Sequence, residues 1–448
     1  MKPARLGDVA ESMKNGMYKP ASEYGDDGIP CLRMYNIDAG GIVWRDIKRM
    51  RVSDAEREDY GLREGDLLVN RVNSRELVGK TAVIPSGMEP SVFESKNIRL
   101  RLKADRARAK FINYQLLAGG RKHFAGNAQQ VVGMASISQT QLADFPIVLT
   151  SLDHQDEIVA ELEKQFSRLD EAVANLLRVK ANLKRYKASV LNDAVEGRLV
   201  PTEADLARRE GRTFETGEQL LQRILEARRA KWAGKGRFKE PASPITSNLS
   251  ALPDGWTWAT MPQLGELNRG KSKHRPRDDA ALYGGPYPFI QTGDVRRSDG
   301  SITAHSQTYS EFGLKQSRLW PAGTLCITIA ANIAETGILK LEACFPDSVV
   351  GFIADQGHPT TEYVEFFIRT ARDGLDCFAS ATAQKNINLE VLEAVAVPTP
   401  PLAEQRRIVA EVDRRLSLVR GVEAEVDTNL KRTQALRQAT LANAFSNN

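Results

Sequence analysis

The feature that most constrains this 448-residue chain is a segment that occurs twice, 250 positions apart and without a gap. The first copy reads Leu-Asp-His-Gln-Asp-Glu-Ile-Val-Ala-Glu (152–161) and the second Leu-Ala-Glu-Gln-Arg-Arg-Ile-Val-Ala-Glu (402–411). The register also holds upstream, where Ser-Ile-Ser (136–138) aligns with Asn-Ile-Asn (386–388), and downstream, where Leu191 aligns with Leu441. The repeating unit is therefore a whole domain followed by a long helix.

Each copy begins with short β-branched and apolar runs between Gly, Pro, Asn and Asp, which is typical of a strand-rich globule. It then changes to charged residues with apolar positions three or four apart, which predicts a long helix. We expect an α+β (mixed) fold with an internal pseudo-two-fold repeat. Its predicted parts are a first globule (1–149), a central helix (150–197), a linker with a short basic amphipathic helix (198–250), a second globule (251–399) and a distal helix (400–448).

Each predicted long helix measures about 65 Å at 1.5 Å per residue. A single amphipathic helix of that length cannot bury its apolar stripe alone. The alternative, in which each helix folds back on its own globule, is disfavoured because the stripe continues past the diameter of a domain. We therefore expect an antiparallel coiled coil that separates the two globules. The residues expected in its packing are Ile158, Leu162, Phe166, Leu191, Ile408, Val412, Leu416 and Leu441.

Composition narrows the class of protein. A net charge of +5 and a pI near 8.9 permit a polyanionic partner without requiring one. Four scattered cysteines, without a C-x-x-C pair, fit neither a disulfide framework nor a zinc site, so buried thiols are expected. No apolar stretch is long enough to span a bilayer, and the first residues do not resemble a targeting signal. We therefore expect a cytoplasmic protein with no membrane association.

An enzymatic role has weak support in the residues. Gly79-Lys80-Thr81 resembles the end of a phosphate-binding loop, but position 74 is Ser74 rather than the glycine that this motif requires. The five histidines form no H-E-x-x-H motif, and no Asn-Pro-Pro-aromatic or Asp-Pro-Pro-Tyr motif of an adenine methyltransferase is present.

Several motifs together resemble the DNA-specificity (S) subunit of type I restriction-modification systems, over nearly the whole chain. They are Pro-Leu-Ala-Glu-Gln-Arg-Arg-Ile-Val-Ala (401–410) with its weaker twin (151–160), Gly-Arg-Leu-Val-Pro (197–201), Leu-Pro-Asp-Gly-Trp-Thr-Trp (252–258) and Ala-Gln-Lys-Asn-Ile-Asn-Leu (383–389). The first copy departs from the pattern, because Leu-Asp-His-Gln replaces a Pro-led start and Ala-Gln-Gln-Val-Val-Gly-Met (128–134) is a looser version of the last motif.

The resemblance implies a non-catalytic subunit in which each globule is a target recognition domain that reads one part of a split, asymmetric DNA site. It implies helices that set the gap and dock two modification subunits, and it implies restriction subunits in the same complex. S-adenosylmethionine and ATP are then expected only on those partner subunits, and this chain is expected to bind no cofactor and no metal.

Candidate base-reading residues follow from side-chain chemistry, since Arg and Lys suit guanine whereas Asn and Gln suit adenine. In the first globule they are Asn70, Arg71, Asn73, Ser74 and Arg75, with Gln129, Gln130, Arg33, Asn36 and Lys96 as weaker candidates. In the second they are Arg269, Lys271, Lys273, His274, Arg275, Gln291, Thr292, Arg296, Arg297, Asn332, Gln384 and Lys385. For any single residue, a solvated charge or an amide that satisfies a turn is the better interpretation, whereas for each group as a whole DNA contact is the better one.

Three functions remain open at this point. The first is the DNA-reading subunit, the second is a coiled-coil scaffold that joins proteins without reading DNA, and the third is a nucleotide-dependent enzyme. Salt-sensitive DNA binding with sequence preference in two blocks separates the first from the other two.

Overall fold

The computed structural model describes residues 1–131, 134–234, 236–247, 249–330, 333–380 and 387–446. The chain divides into two compact units, Met1–Arg178 with Val426–Asn448, and Val179–Glu425. The boundary between the units falls within both long helices.

The first unit consists of short strands with five short helices and the start of a long one. Its strands are β1 (Lys2–Arg5), β2 (Ala10–Asn15), β3 (Tyr24–Leu32), β4 (Ile37–Asp38), β5 (Gly41–Ile42), β6 (Lys48–Met50), β7 (Leu67–Asn70), β8 (Val72–Asn73), β9 (Thr81–Val83), β10 (Val92–Phe93), β11 (Asn97–Leu102), β12 (Gln129–Val131), β13 (Met134–Ser136) and β14 (Pro146–Leu149). Its helices are α1 (Leu6–Val9), α2 (Asp54–Tyr60), α3 (Ala109–Gln115), α4 (Arg121–Asn127), α5 (Gln139–Ala143) and the beginning of α6 (Leu152–Val195).

An antiparallel four-stranded sheet in the order β2-β11-β7-β9 forms the centre of this unit. Strand β11 is buried over its first four residues, Asn97 and Arg99 included, although its alternation of polar and apolar residues predicts burial of one face only. Smaller sheets, β10-β3-β6 and β12-β13-β8, flank it, and β1 pairs with β14. The core against the central sheet contains Leu67, Ile98, Leu100, Phe111 and Phe124.

The second unit begins within α6 and continues through two linker helices into a second strand-rich region. Its helices are α7 (Glu203–Glu210), α8 (Gly217–Ala230), α9 (Met261–Leu264), α10 (Thr292–Arg297), α11 (Glu311–Lys315), α12 (Thr360–Ser380), α13 (Leu389–Ala394) and the beginning of α14 (Leu402–Phe445). Its strands are β15 (Thr257–Thr260), β16 (Gly265–Arg269), β17 (Tyr283–Phe289), β18 (Gly300–Ile302), β19 (Gln307–Tyr309), β20 (Leu325–Thr328), β21 (Thr336–Leu339), β22 (Val349–Ala354) and β23 (Ala396–Thr399).

The strand order in this unit matches that of the first. Its main sheet runs β16-β22-β20-β21-β18, antiparallel except for the final parallel pair, so its first four strands follow the order β2-β11-β7-β9 of the first unit. The strand that precedes each long helix pairs with the strand that opens its globule: β14 with β1, and β23 with β15.

A buried glutamine fixes the start of each long helix. Gln155 is 0% exposed; its Oε1 accepts from the N–H of Arg108 at 2.9 Å, and its Nε2 donates to the carbonyl oxygens of Arg106 (3.0 Å) and Thr150 (2.9 Å). Gln405, 250 positions later, is also 0% exposed. Its Oε1 accepts from the Thr360 hydroxyl at 2.8 Å and its Nε2 donates to the Pro400 carbonyl at 2.9 Å. Both glutamines thus join a long helix to the start of the shorter helix of the adjacent globule.

Side chains of α6 and α14 contact each other within each unit. In the first, Leu162, Phe166 and Leu441 form one buried cluster, and the Arg437 Nη1 lies 2.5 Å from an Asp170 carboxylate oxygen. In the second, the Lys187 Nζ lies 2.9 Å from Glu423, and Leu191, Ile408, Val412 and Leu416 share the core of the globule. Every residue predicted to pack along the helices is buried, except Ile158, which is partly buried beside Leu162.

Several sequence predictions agree with these elements and some do not. Both long helices are present, and Gly197 follows α6 with the positive φ of a C-terminal cap. Gly421 does not break α14, because a helix interior tolerates glycine at a cost of about 1 kcal/mol. α7 was not predicted, because its eight residues make only about two helical turns and include few apolar side chains. Cys31, Cys326 and Cys344 are buried free thiols.

Replacing Gln155 or Gln405 with alanine should leave buried backbone groups without a partner. We expect each substitution to lower the free energy of unfolding by about 1–3 kcal/mol, measured by urea denaturation. Gln165→Ala, at a partly exposed position on α6 where the amide bonds only Glu161, is the matched control and should change it by less than about 0.5 kcal/mol. If Gln165→Ala lowered the free energy of unfolding as much as Gln155→Ala or Gln405→Ala, the buried amide would not be what holds the helix start.

Candidate nucleic-acid interface

The loop after β7 contains the principal candidates of the first globule, but two of them are interior. Asn70 is 0% exposed, and its Nδ2 donates to the Lys96 carbonyl (3.0 Å) and to the Asn97 Oδ1 (3.2 Å). Asn73 is also buried and donates to the Asn70 Oδ1 at 2.8 Å. The prediction that Asn70 and Asn73 read bases is therefore wrong, because both amides are buried and bonded within the protein, where they hold the shape of the loop.

The arginines of this loop lie further out. Arg71 is partly exposed and reaches the carbonyls of Ser95 (3.4 Å) and Ile137 (3.5 Å), whereas Arg75 is exposed and donates to the Ala125 carbonyl at 3.1 Å. Guanidinium groups anchored by one bond retain further donors for a ligand. Arg71 and Arg75 are consequently the accessible donors of the loop.

The structure brings two separately predicted groups onto one small sheet. Asn73 in β8 pairs with Ala135 in β13, and Ser136 of the same strand pairs with Gln129 in β12. Gln129 is exposed, and Gln130 lies in β12 beside it. The loop at 70–75 and the strand at 129–131 are therefore parts of one surface, although 50 or more residues separate them in sequence.

A basic cleft of about 520 Å³ lies beside this loop. Its cationic lining is Lys19, Arg33, Lys48 and Lys96, together with the Glu94 carboxylate and with Tyr18, which is 84% exposed. Asn36, a weaker candidate, is buried and donates to the Val43 and Arg45 carbonyls, so it too is structural.

Arg33 is held at this cleft by two neighbours. Its Nε donates to Glu94 Oε2 at 3.0 Å, and its guanidinium lies 4.8 Å from the centre of the Tyr35 ring. Burial acts to lower the pKa of Arg33, but the hydrogen bond to Glu94, the charge of that carboxylate and smaller contributions from Tyr35 and Tyr24 together outweigh it, so the pKa is raised. Burial also raises the pKa of the adjacent Cys31 thiol to about 12, which makes it an inert core residue.

In the second globule, a basic loop follows β16. Lys271, Lys273 and Arg275 are exposed, while the backbone is fixed from below: the Gln316 Oε1 accepts from the N–H groups of Lys273 (2.5 Å) and His274 (3.0 Å). Gly270 has no room for a side chain, since an added Cβ would lie 2.3 Å from the Pro346 carbonyl oxygen. Arg269 is exposed and donates to the Asp347 carbonyl at 3.1 Å. The loop thus presents several cations on a fixed backbone.

The remaining candidates of this globule cluster around α10. Gln291 caps this helix, Thr292 begins it, and Arg296 and Arg297 are exposed at its end. Arg297 donates to Asp294 at 2.6 Å, and Arg296 lies 4.0 Å from Glu335. A cavity of about 280 Å³ lies beside Arg297 and Asp294. Asn332, Gln384 and Lys385 lie outside the described residues.

The residues of the recognisable motifs have a structural role. The Trp256 Nε1 donates to Glu404 Oε1 at 3.0 Å, and the N–H of Glu203 donates to Glu404 Oε2 at 2.8 Å. Burial raises the pKa of Glu404; for Glu203, burial is outweighed by the hydrogen bonds from Arg407 and Arg212, which lower its pKa. These motifs therefore join the second globule to the start of α14.

Two further polar residues, Lys48 and Gln307, are exposed on short strands and are absent from the candidates predicted from the sequence. Lys48 is directly opposite Cys31, and Gln307 is directly opposite Phe289. The sequence contains a sign of this correspondence in two similar segments, Pro-Cys-Leu-Arg (30–33) and Pro-Phe-Ile-Gln (288–291). Lys48 pairs with the first segment and Gln307 with the second.

No group of metal-ligating side chains occurs in the described part of the chain, and none of its helices carries an apolar stretch that could cross a bilayer.

Comparison with known proteins points to one family. Residues 253–426 match the model described as the type I restriction modification DNA specificity domain. A putative type I restriction enzyme MjaX specificity subunit of Methanocaldococcus jannaschii is 22% identical over 440 residues, covering 96% of this chain and 91% of that protein. The EcoBI specificity subunit of Escherichia coli is 21% identical, covering 98% and 84%.

A solved structure supports the fold. It is a chain from work on the complex assembly and conformational transition of a type I R-M system, with a TM-score of 0.66 and 18% identity, covering 99% of this chain and 97% of that one. The likeness extends over both strand-rich regions and both long helices.

Removing the exposed lysines of the 270–275 loop should weaken DNA binding by removing contacts with phosphates, and the loss should appear in the salt dependence of the affinity. For Lys271→Ala with Lys273→Ala we expect the slope of log affinity against log salt concentration to fall by about 2, since each phosphate contact contributes about 0.9. Fluorescence anisotropy of the assembled complex on duplex DNA measures this slope. Arg208→Ala with Arg209→Ala removes the same charge from exposed positions on α7 and should leave the slope unchanged.

Proposed function

We propose that this chain, which belongs to the specificity subunits of type I restriction-modification systems, reads one part of a split DNA site with each of its two strand-rich globules. The observation that carries the proposal is that two globules with the same strand order present different side chains to the solvent. A shared fold with different reading surfaces would select two different short sequences, so the site would be asymmetric.

The first globule would use the surface formed by the 70–75 loop, β12 and the basic cleft. Arg71, Arg75 and Gln129 are accessible side chains there, and Lys19 and Lys96 of the cleft would neutralise phosphates. The second globule would use the 270–275 loop and the residues around α10. Asn332, Gln384 and Lys385 remain candidates by chemistry alone.

The two long helices would pair as an antiparallel coiled coil and set the gap between the two blocks. The contacts of Asp170 with Arg437 and of Lys187 with Glu423 support this pairing, because residue numbers rise along one helix while they fall along the other. The register of 250 residues, with a buried glutamine at the same place in each copy, supports an internal pseudo-two-fold repeat.

As a specificity subunit, the chain is not itself the enzyme. We propose that it acts in the cytoplasm, binding double-stranded DNA together with two modification subunits, and with restriction subunits where the system cleaves. S-adenosylmethionine and ATP would be bound by those partners.

Genome-wide mapping of methylated adenine, after co-expression of this chain with its modification subunit, tests the proposal. The expected result is one motif with two short specified blocks around an unspecified gap. A stable complex that produces no new methylation would contradict it and would favour the scaffold function.

A further inference from the structure

The two globules end one strand in the same way. In each, a Pro-x-(Leu or Ile) segment lies at the end of the strand; β3 ends at its Leu32, and β17 ends at Phe289, one residue before its Ile290. The next residue, Arg33 or Gln291, precedes a short helix, which is the 3-10 helix Met34–Asn36 in the first globule and α10 in the second. The N–H of Arg33 donates to Asn36 Oδ1 at 3.0 Å, and the N–H of Gln291 donates to Asp294 Oδ2 at 2.9 Å. Arg33 and Gln291 therefore occupy the same position in the two folds.

The neighbouring strand supplies a second matched position. Cys31 is two residues before Arg33 and pairs with Lys48; Phe289 is two residues before Gln291 and pairs with Gln307. Lys48 lines the basic cleft with Arg33, and the Gln291 Nε2 donates to the Gln307 Oε1. One fold position thus presents an Arg and Lys pair in the first globule and a Gln and Gln pair in the second.

Arg33 in the first globule and the two glutamines in the second are held in place by contacts within the protein. Glu94 accepts from the Arg33 Nε and from the N–H of Met34 (3.1 Å), and the Tyr35 ring lies against the guanidinium. Fixing a guanidinium plane in advance reduces the conformational entropy that binding costs. In the second globule, the hydrogen bond between the Gln291 and Gln307 side-chain amides fixes the orientation of the Gln291 amide.

We propose that this position reads bases, with Arg33 and Lys48 selecting a guanine in one block and Gln291 and Gln307 selecting an adenine in the other. Arg or Lys matches the O6 and N7 acceptors of guanine, whereas the amide of Gln matches N6 and N7 of adenine. A position that served to neutralise phosphate charge would carry a cation in both globules, and the second globule has two neutral amides there. The inference rests on the proposed function, because it assigns residues to the site that each globule reads.

Selection from a random duplex library by the assembled complex of this chain and its modification subunit, followed by sequencing, tests the assignment. For Arg33→Gln with Lys48→Gln, we expect the preference for one guanine to fall about tenfold or more in one block only. For Gln291→Arg with Gln307→Lys, the preference for one adenine should fall in the other block. Arg33→Lys, which keeps the charge and loses the planar fork, should weaken the guanine preference partially.

The unaltered block is an internal control, because its selection shows that the variant chain has folded and assembled. Arg45→Gln removes an exposed arginine from the same globule, outside the cleft, and should leave both blocks unchanged. If the wild-type complex selects two blocks and the Arg33 and Gln291 variants select the same bases, this inference is wrong while the proposed function stands. If the wild-type complex selects no sequence, the proposed function itself fails.

Discussion

The architecture depends on a buried side-chain amide at the beginning of each long helix. A glutamine there bonds the backbone carbonyl that follows the preceding strand and, at the same time, the start of the shorter helix of the globule, through the Arg108 N–H in one case and the Thr360 hydroxyl in the other. Breaking such a network costs more than its hydrogen bonds contribute, because the buried partners cannot bind water instead. The orientation of each globule relative to the helix segment in its own unit is therefore fixed by a polar contact with defined geometry, and not by apolar packing alone.

The residues that hold the fold together differ from the residues that are candidates for contact with DNA. Gln155, Gln405, Glu404 and Trp256, all within or beside the recognisable motifs, are buried and bonded within the protein. The accessible donors lie on the loop after β7, on the 270–275 loop, and at the ends of β3 and β17. Side chains on those loops can change without disturbing the joints, because the backbone beneath them is held by groups such as Asn70 and Gln316. This separation allows one fold to read two sequences.

The sequence predicted the two long helices and the strand-rich regions well, because periodicity over many residues is a strong signal. It did not predict which candidate side chains are buried and which are exposed, as specific residues illustrate. Asn70 has the chemistry to read adenine, but it lies at the end of a central strand, where Asn97 and Lys96 enclose it. Lys48 and Gln307 lie on strands of three residues, and only long-range pairing places them beside Arg33 and Gln291. Which face a polar residue occupies is decided by tertiary contacts that a local pattern does not contain.

The central claim is that the exposed loops read DNA while the motif residues hold the fold. Hydrogen–deuterium exchange of the assembled complex, with and without its DNA site, tests this claim most directly. The account predicts new protection in 70–75 and 129–131 of the first globule and in 270–275 and 291–297 of the second, with little change at the helix starts around Gln155 and Gln405. Protection confined to the helix starts and absent from those loops would contradict it.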